Sequence, residues 1–112
     1  MTSGESSKRG KASRDKGKRR ELEFVHILRE AGFPNVRRGL VFNHEPDIVG
    51  FDGFHTEIKG VESLNVRKAL NQSIEDSEKR KDGIPILAWK KSHEPWLIVL
   101  RLDDFIKLIR RK

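Results

Sequence analysis

Apolar residues recur along the chain with two different periods, and these periods predict the order of the elements. Near the N-terminus they repeat at about 100° per residue, which is typical of an amphipathic helix. Gly32 and Pro34 follow, so we expect a first helix from about Lys16 or Lys18 to Ala31. The same period predicts a second helix from about Leu64 to Arg80 and a short third helix in "LDDFIKLIRRK".

Five segments between and after these helices have strand character. We expect "VRRGLVFNHE" to form a strand interrupted by glycine, and residues 45–60, "EPDIVGFDGFHTEIKG", to form two strands joined at Asp52-Gly53. The run "IPILAW" is apolar at nearly every position, as in a strand buried on both faces, and "PWLIVLR" follows. This order predicts an α/β single domain with a central mixed β-sheet flanked by helices.

The turn at Asp52-Gly53 decides which side chains of this hairpin share a face. A two-residue loop would set Ile48 across from Glu57 and would separate Asp47 from Glu57. A three-residue loop ending at Gly53 would instead place Asp47 directly opposite Glu57, because glycine accepts the left-handed conformation needed there. The composition of the turn allows both registers.

In the second register the two carboxylates face each other, with Cβ atoms only about 5 Å apart. Such a pair repels, so it needs a positive partner. Lys59 lies on the same face, two residues beyond Glu57, and a divalent cation would neutralise the pair more completely. Because the chain has no cysteine, an oxygen-rich Mg²⁺ site is chemically favoured, and Mn²⁺ is expected to substitute. The alternative is a solvated face on which these acids are surface charge.

Glu21 is a second acid in an unusual place. It projects onto the apolar arc of the first helix, one turn before Val25 and Leu28. An acid on the core side needs a partner or a purpose, unless it lies in a frayed first turn where water reaches it. His55 shares the Glu57 face, and we expect it to be half exposed.

The charge of the chain is concentrated at its N-terminus. The 112 residues carry a net charge of +7, and residues 1–20 carry +6 of it. We expect residues 1–15 to form a basic flexible arm and residues 16–112 to form the folded domain. Such an arm commonly contacts nucleic-acid phosphates, although it could equally be a solubilising tail. The basic residues are Lys8, Arg9, Lys11, Arg14, Lys16, Lys18, Arg19 and Arg20.

The chain also has negative features that limit its class. No apolar run approaches the roughly 20 residues of a membrane span, so we expect no membrane partner. The absence of cysteine excludes disulfides and thiolate zinc sites and is compatible with a cytoplasmic location in a bacterium, an archaeon or a phage-infected cell.

The segments "PDIVG" and "EIK" resemble the signature of the PD-(D/E)xK nuclease superfamily, which has a restriction-endonuclease-like core. "KGKRRELEFVHILREAGF" resembles the opening of archaeal Holliday junction resolvases. The resemblance implies a metal-dependent endonuclease acting on DNA. It assigns catalytic roles to Glu21, Asp47, Glu57 and Lys59, and it makes Asp47, Glu57 and the backbone carbonyl of Ile58 the metal ligands.

The resemblance has further implications for the partners. Paired cuts at a DNA junction require two active sites, so it implies a homodimer bound to branched DNA. Gln72 resembles the glutamine on the helix after the Glu-x-Lys strand of related nucleases, and Arg37 and Arg38 are expected to hold phosphates. Two alternatives stay open: a basic DNA-binding module without catalysis, and a nuclease that acts on flaps, ends or RNA.

Overall fold

The sheet and helices follow the predicted order, and the prediction of an α/β fold with a mixed sheet is confirmed. The computed structural model describes the backbone of residues 3–111 and the side chains of residues 15–111. The elements are α1 (Ser3–Glu30), β1 (Arg37–Arg38), a 3₁₀ turn (Val41–Asn43), β2 (Ile48–Val49), β3 (Phe54–Lys59), α2 (Val66–Arg80), β4 (Ile84–Trp89), β5 (Leu97–Val99) and α3 (Leu102–Arg110).

The five strands lie in sequence order in one sheet, and β3 and β4 are its parallel pair. This pair is joined by α2, as parallel strands require a crossover connection. On one face of the sheet, Phe24 and Val25 of α1 pack with Ile58 and Ala88. On the other face, Ala69 and Leu70 of α2 pack against Leu87, so the two helices sandwich β3 and β4.

Two predicted boundaries are wrong. The backbone of α1 is already helical at Ser3, whereas the sequence predicted a start at Lys16 or Lys18. The residues before Lys16 are mostly Ser, Lys, Arg and Ala, several of which are good helix formers, and they extend a helix that is anchored further along. Residues 1–2 of the predicted arm lie outside the described residues, and a division of the chain at residue 15 stays a prediction.

The strand predicted in "VRRGLVFNHE" is also mostly absent. It ends after Arg38, and a 3₁₀ turn follows in which Val41 and Phe42 are 84% and 78% exposed. Val36, at the start of this segment, is buried, but the apolar residues after Arg38 do not form a buried strand. A bidentate ion pair at 3.0 and 2.9 Å between Arg37 and Glu45 closes the base of the loop.

The hairpin between β2 and β3 adopts the register that needs a three-residue loop. Ile48 pairs with Thr56, so the next pair outward is Asp47 with Glu57. Gly53 has a φ of +89°, and the amide of Phe54 donates to the carbonyl of Phe51 at 3.2 Å. A positive φ at this point sets the odd loop length that places both acids on the α2 side of the sheet.

The register makes Gly53 the residue on which the hairpin turns. We expect Gly53→Ala to destabilise the fold by about 1–2 kcal/mol, because alanine is strained at positive φ. A Cβ there would meet nothing closer than Arg111 Nη1 at 3.7 Å, so the loss is conformational and not steric. Gly17→Ala is the matched control, since this helical glycine has open space around it and should gain about 0.5–1 kcal/mol. Denaturant unfolding measures both, and an equal response of the two variants would contradict the assignment.

Candidate active site

Asp47 lies just before β2, at the point where β2 and β3 stop pairing. Its Oδ2 accepts a hydrogen bond of 2.8 Å from the backbone amide of Ile58. The N–H and C=O of one strand residue point to the same neighbour, so the carbonyl of Ile58 faces the Asp47 side as well. The short β2 thus leaves backbone polar groups of β3 directed at a carboxylate.

The pKa values of the Asp47 and Glu57 carboxyls are shifted in opposite directions. Burial, followed by the negative charge of Glu57, raises the pKa of Asp47 to about 7, although the Ile58 amide opposes this shift. Burial also acts to raise the pKa of Glu57, but a hydrogen bond from His55 and the contact with Asp47 outweigh it and lower that pKa. Near neutral pH Glu57 is therefore the ionised member of the pair, and Asp47 holds a proton for part of the time.

His55 is fully buried, so the expectation that it would be half exposed is wrong. Its Nε2 lies 2.8 Å from Glu57 Oε1, and its Nδ1 lies 3.0 and 2.9 Å from the two oxygens of Asp82. Burial acts to lower the pKa of His55, but the hydrogen bonds with Glu57 and Asp82 outweigh burial and raise it. The alternation along β3 indicated the shared face, whereas Asp82 is remote in sequence and gave no signal.

Glu21 lies on the other side of the sheet from this pair. It is partly buried on the α1 side, where its Oε1 accepts a hydrogen bond of 2.9 Å from Arg38 Nε. The predicted need for a partner is thus met by Arg38. Its charge still acts on Asp47, whose pKa it helps to raise. Lys59 is exposed on the rim beyond Glu57, and its positive charge helps to lower the pKa of Glu57.

A cleft of about 730 Å³ opens above the two carboxylates. Asp47 and Glu57 form part of its floor, and α2 contributes Asp76, Lys79 and Arg80 to its wall. Sequence reasoning selected Gln72 on this helix and missed those three residues. Gln72 is exposed and donates to Asp76 Oδ1 at 3.3 Å. The signal was available, because residues three, four and seven positions apart follow one helical stripe.

Most predicted phosphate-binding residues with described side chains already have acidic partners. Arg37 pairs with Glu45 and Arg38 pairs with Glu21. Lys16 contacts Glu62 at 3.2 Å, and Arg20 contacts Glu23 at 3.0 Å. Lys18 and Arg19 are exposed. The side chains of Lys8, Arg9, Lys11 and Arg14 lie outside the described ones. Phosphate binding by this set stays a prediction.

The donor set of the cleft fits a divalent cation. Two carboxylates face each other, and the pKa of Asp47 is raised first by burial and then by the negative charge of Glu57, which the described side chains do not fully neutralise. Ligand atoms of His55, Glu57 and Asp76 also lie within 4.8 Å of one another. Hard cations such as Mg²⁺ prefer oxygen ligands of this kind, and a nitrogen ligand would favour Mn²⁺ or later metals.

The raised pKa of Asp47 has a consequence for stability without metal. Below about pH 4 the folded and unfolded states both hold this proton; between the ordinary pKa of 3.8 and about 7 only the folded state does. The contribution of Asp47 to stability therefore falls as pH rises through this window and stays low above it. We expect Asp47→Asn to be more stable than the wild type by about 1–2 kcal/mol at pH 8, and by much less at pH 4.

Denaturant unfolding in EDTA at the two pH values measures this difference. Asp52→Asn is the matched control, because Asp52 is an exposed acid in the hairpin turn and should change little. A pH-independent effect of Asp47→Asn would contradict the raised pKa of Asp47.

The described elements contain no helix that is long and apolar enough to cross a membrane. No curated protein is significantly similar to the chain. Residues 12–108 match the family described as archaeal Holliday junction resolvase (Hjc). The match spans α1 to α3 except for the ends of the chain, and it includes every residue of the cleft. The family is one of nucleases, as the resemblance in "PDIVG" and "EIK" implied. The chain belongs to the archaeal Holliday junction resolvase family.

Proposed function

We propose that the protein is a Mg²⁺-dependent endonuclease that hydrolyses phosphodiester bonds in branched DNA. The observation that carries the proposal is the direct opposition of Asp47 and Glu57 on one face of the sheet, with Lys59 two residues further along that face. Opposed carboxylates repel each other, and in a nuclease a bound cation would offset this repulsion. The same cation would also neutralise negative charge on the phosphate.

Asp47, Glu57 and the carbonyl of Ile58 would hold the metal. When bound, Mg²⁺ lowers the pKa of a water and offsets the negative charge that builds up on the phosphate. The two carboxylate ligands are already held in position in the absence of metal and DNA. Asp47 is fixed by the Ile58 amide and Glu57 by His55, so neither carboxylate has to be ordered on binding.

Lys59 and Glu21 would act beside the metal ligands. Lys59 is exposed at the rim, where its ammonium group can orient the attacking water or bind a phosphate oxygen. Glu21 is held by Arg38 and acts on the charge of Asp47 from the opposite side of the sheet. In this role it completes the site through water or through a second cation.

DNA would approach from the side where the cleft is open. Lys79 and Arg80 line the cleft at the end of α2, so they offer positive charge to the phosphates flanking the cleavage point. Lys18 and Arg19 of α1 are exposed and would offer further phosphate contacts. Contacts of this kind position DNA and carry little sequence information.

Substitution of a metal ligand tests the proposal most directly. We expect Asp47→Ala, Glu57→Ala and Lys59→Ala each to reduce Mg²⁺-dependent cleavage by about 100-fold or more. The first two remove a proposed metal ligand, and the third removes a positive charge beside the reacting phosphate. Binding of the same DNA in EDTA should stay near the wild-type affinity. Glu75→Ala is the matched control, since Glu75 is an exposed acid on α2 and should cut normally.

The substrates in this assay are a four-way junction, a flap, a linear duplex, a single strand and an RNA hairpin. If the four-way junction is cleaved fastest, branched DNA is supported as the substrate. If another of these nucleic acids is cleaved faster, that nucleic acid becomes the proposed substrate instead. Cutting by Glu57→Ala at the wild-type rate would overturn the site. DNA binding without cleavage of any member would favour a non-catalytic binding module.

We further propose that the protein acts as a homodimer. The apolar stripe of α3 consists of Leu102, Phe105, Ile106 and Ile109, which are 40–69% exposed. Beside it an apolar groove of about 530 Å³ runs between α1, β5 and α3. A second copy of the stripe would cover this surface, and two copies would supply the two cuts that resolution of a junction requires.

A charge on this stripe should separate the subunits. We expect Ile109→Glu to shift the protein from dimer to monomer in sedimentation velocity, because the new carboxylate would be buried without a partner. Lys107→Glu is the matched control on the polar side of the same helix, where the lysine is 67% exposed, and it should leave the dimer intact. A wild-type chain that sediments as a monomer would refute the dimer while leaving the nuclease proposal standing.

A further inference from the structure

The imidazole of His55 lies between two acids that come from distant parts of the chain. Nε2 faces Glu57 Oε1 at 2.8 Å, and Nδ1 faces both oxygens of Asp82 at 3.0 and 2.9 Å. The ring has no exposed surface. An ionised carboxylate can only accept hydrogen bonds, so the ring is the donor on whichever side it bonds. The three side chains form one hydrogen-bonded row from Asp82 through His55 to Glu57.

Asp82, at the far end of this row, is itself fixed by its backbone. It follows Lys81, which ends α2 with a φ of +54°, and it precedes Gly83. A Cβ on Gly83 would lie 2.5 Å from the carbonyl carbon of Gly53, so this loop packs directly on the hairpin turn. The Ile84 amide donates to the Gly53 carbonyl at 2.8 Å. The carboxylate of Asp82 is thereby anchored to the same hairpin that bears Glu57.

The row restricts the Glu57 side chain. A free glutamate explores several rotamers, and ordering it costs side-chain entropy. Here His55 holds Oε1, the buried ring cannot swing away, and Asp82 holds the ring from its other nitrogen. On its other side the Glu57 carboxyl contacts Asp47. Carboxylate ligands of metals commonly have such partners behind them, and loss of one typically weakens metal affinity about 10- to 100-fold.

We propose that His55 and Asp82 are positioning residues that hold the Glu57 carboxylate in the orientation in which it binds the cation. The proposal rests on the proposed function, because it takes Glu57 as a metal ligand. In this arrangement His55 of β3 and Asp82 of the α2–β4 loop both act through Glu57.

Asp82 offers the sharpest test, because it touches Glu57 only by way of the ring. The probe is Mn²⁺ alone, which accepts the oxygen ligands of Mg²⁺ and is measured by calorimetry on the full chain without DNA. We expect Asp82→Ala to bind Mn²⁺ about 10-fold more weakly. Asp82→Asn keeps an acceptor for Nδ1 and should recover most of this loss. Asp52→Ala removes an exposed acid of the neighbouring turn and should bind as the wild type does.

Variants of His55 separate positioning from the other roles that the ring could have. His55→Gln keeps an amide donor for Glu57 and should bind Mn²⁺ more tightly than His55→Leu, which keeps none. Thermal unfolding in EDTA is measured in parallel, so that lost affinity can be compared among variants that remain folded. If neither His55 variant folds, the Mn²⁺ affinities of Asp82→Ala and Asp82→Asn test the positioning role alone.

Three results would overturn the inference. Wild-type Mn²⁺ affinity in a folded but less stable Asp82→Ala would make the row merely structural. Equal weakness of His55→Gln and His55→Leu, together with a comparable loss in Asp76→Asn, would make the ring itself a ligand with Glu57 and Asp76. A wild-type chain that binds no Mn²⁺ would overturn the proposed function and this inference together, whereas the first two results leave the nuclease proposal intact.

Discussion

The opposition of Asp47 and Glu57 across one hairpin is the constraint on which the rest of the structure depends. Two carboxylates in facing positions repel each other, and the cost rises because both are largely shielded from water. The surrounding residues reduce this cost without removing it. The Ile58 amide stabilises the charge of Asp47, whereas His55 and Lys59 stabilise that of Glu57. The raised pKa of Asp47 reflects its burial and, after that, the repulsion from Glu57 that remains, and a cation would relieve this repulsion.

The same opposition depends on a backbone detail of the sheet. β2 consists of two residues and pairs with β3 at Ile48 and Thr56, so the backbone of β3 continues past the end of its neighbour. The Ile58 amide would otherwise be left without a strand partner, and the Asp47 side chain takes the place of one. A longer β2 would pair this amide with backbone and would leave no room for a ligand. The shortness of the strand is therefore part of the site.

Local chemistry in the sequence was sufficient to predict the fold class and the central pair of acids. The order of the elements followed from periodicity, and the observed register was one of the two that the turn at Asp52-Gly53 allowed. Features that depend on contacts between distant segments were not predictable in this way. The burial of His55 depends on Asp82, which is 27 residues away. The loop containing Phe42 has strand-like composition, but the Arg37–Glu45 pair closes it and leaves its apolar side chains exposed.

The charge of Glu21 acts on Asp47 although the two residues lie on opposite faces of the sheet. Its helix packs on the face opposite to the cleft, and Arg38 of the edge strand holds its carboxylate there. Asp47 lies directly before β2, at the end of the paired part of the sheet. The charge of Glu21 therefore still reaches the Asp47 carboxyl and helps to raise its pKa. Arg38 therefore has two effects: it neutralises Glu21, and it sets how much negative charge Asp47 experiences.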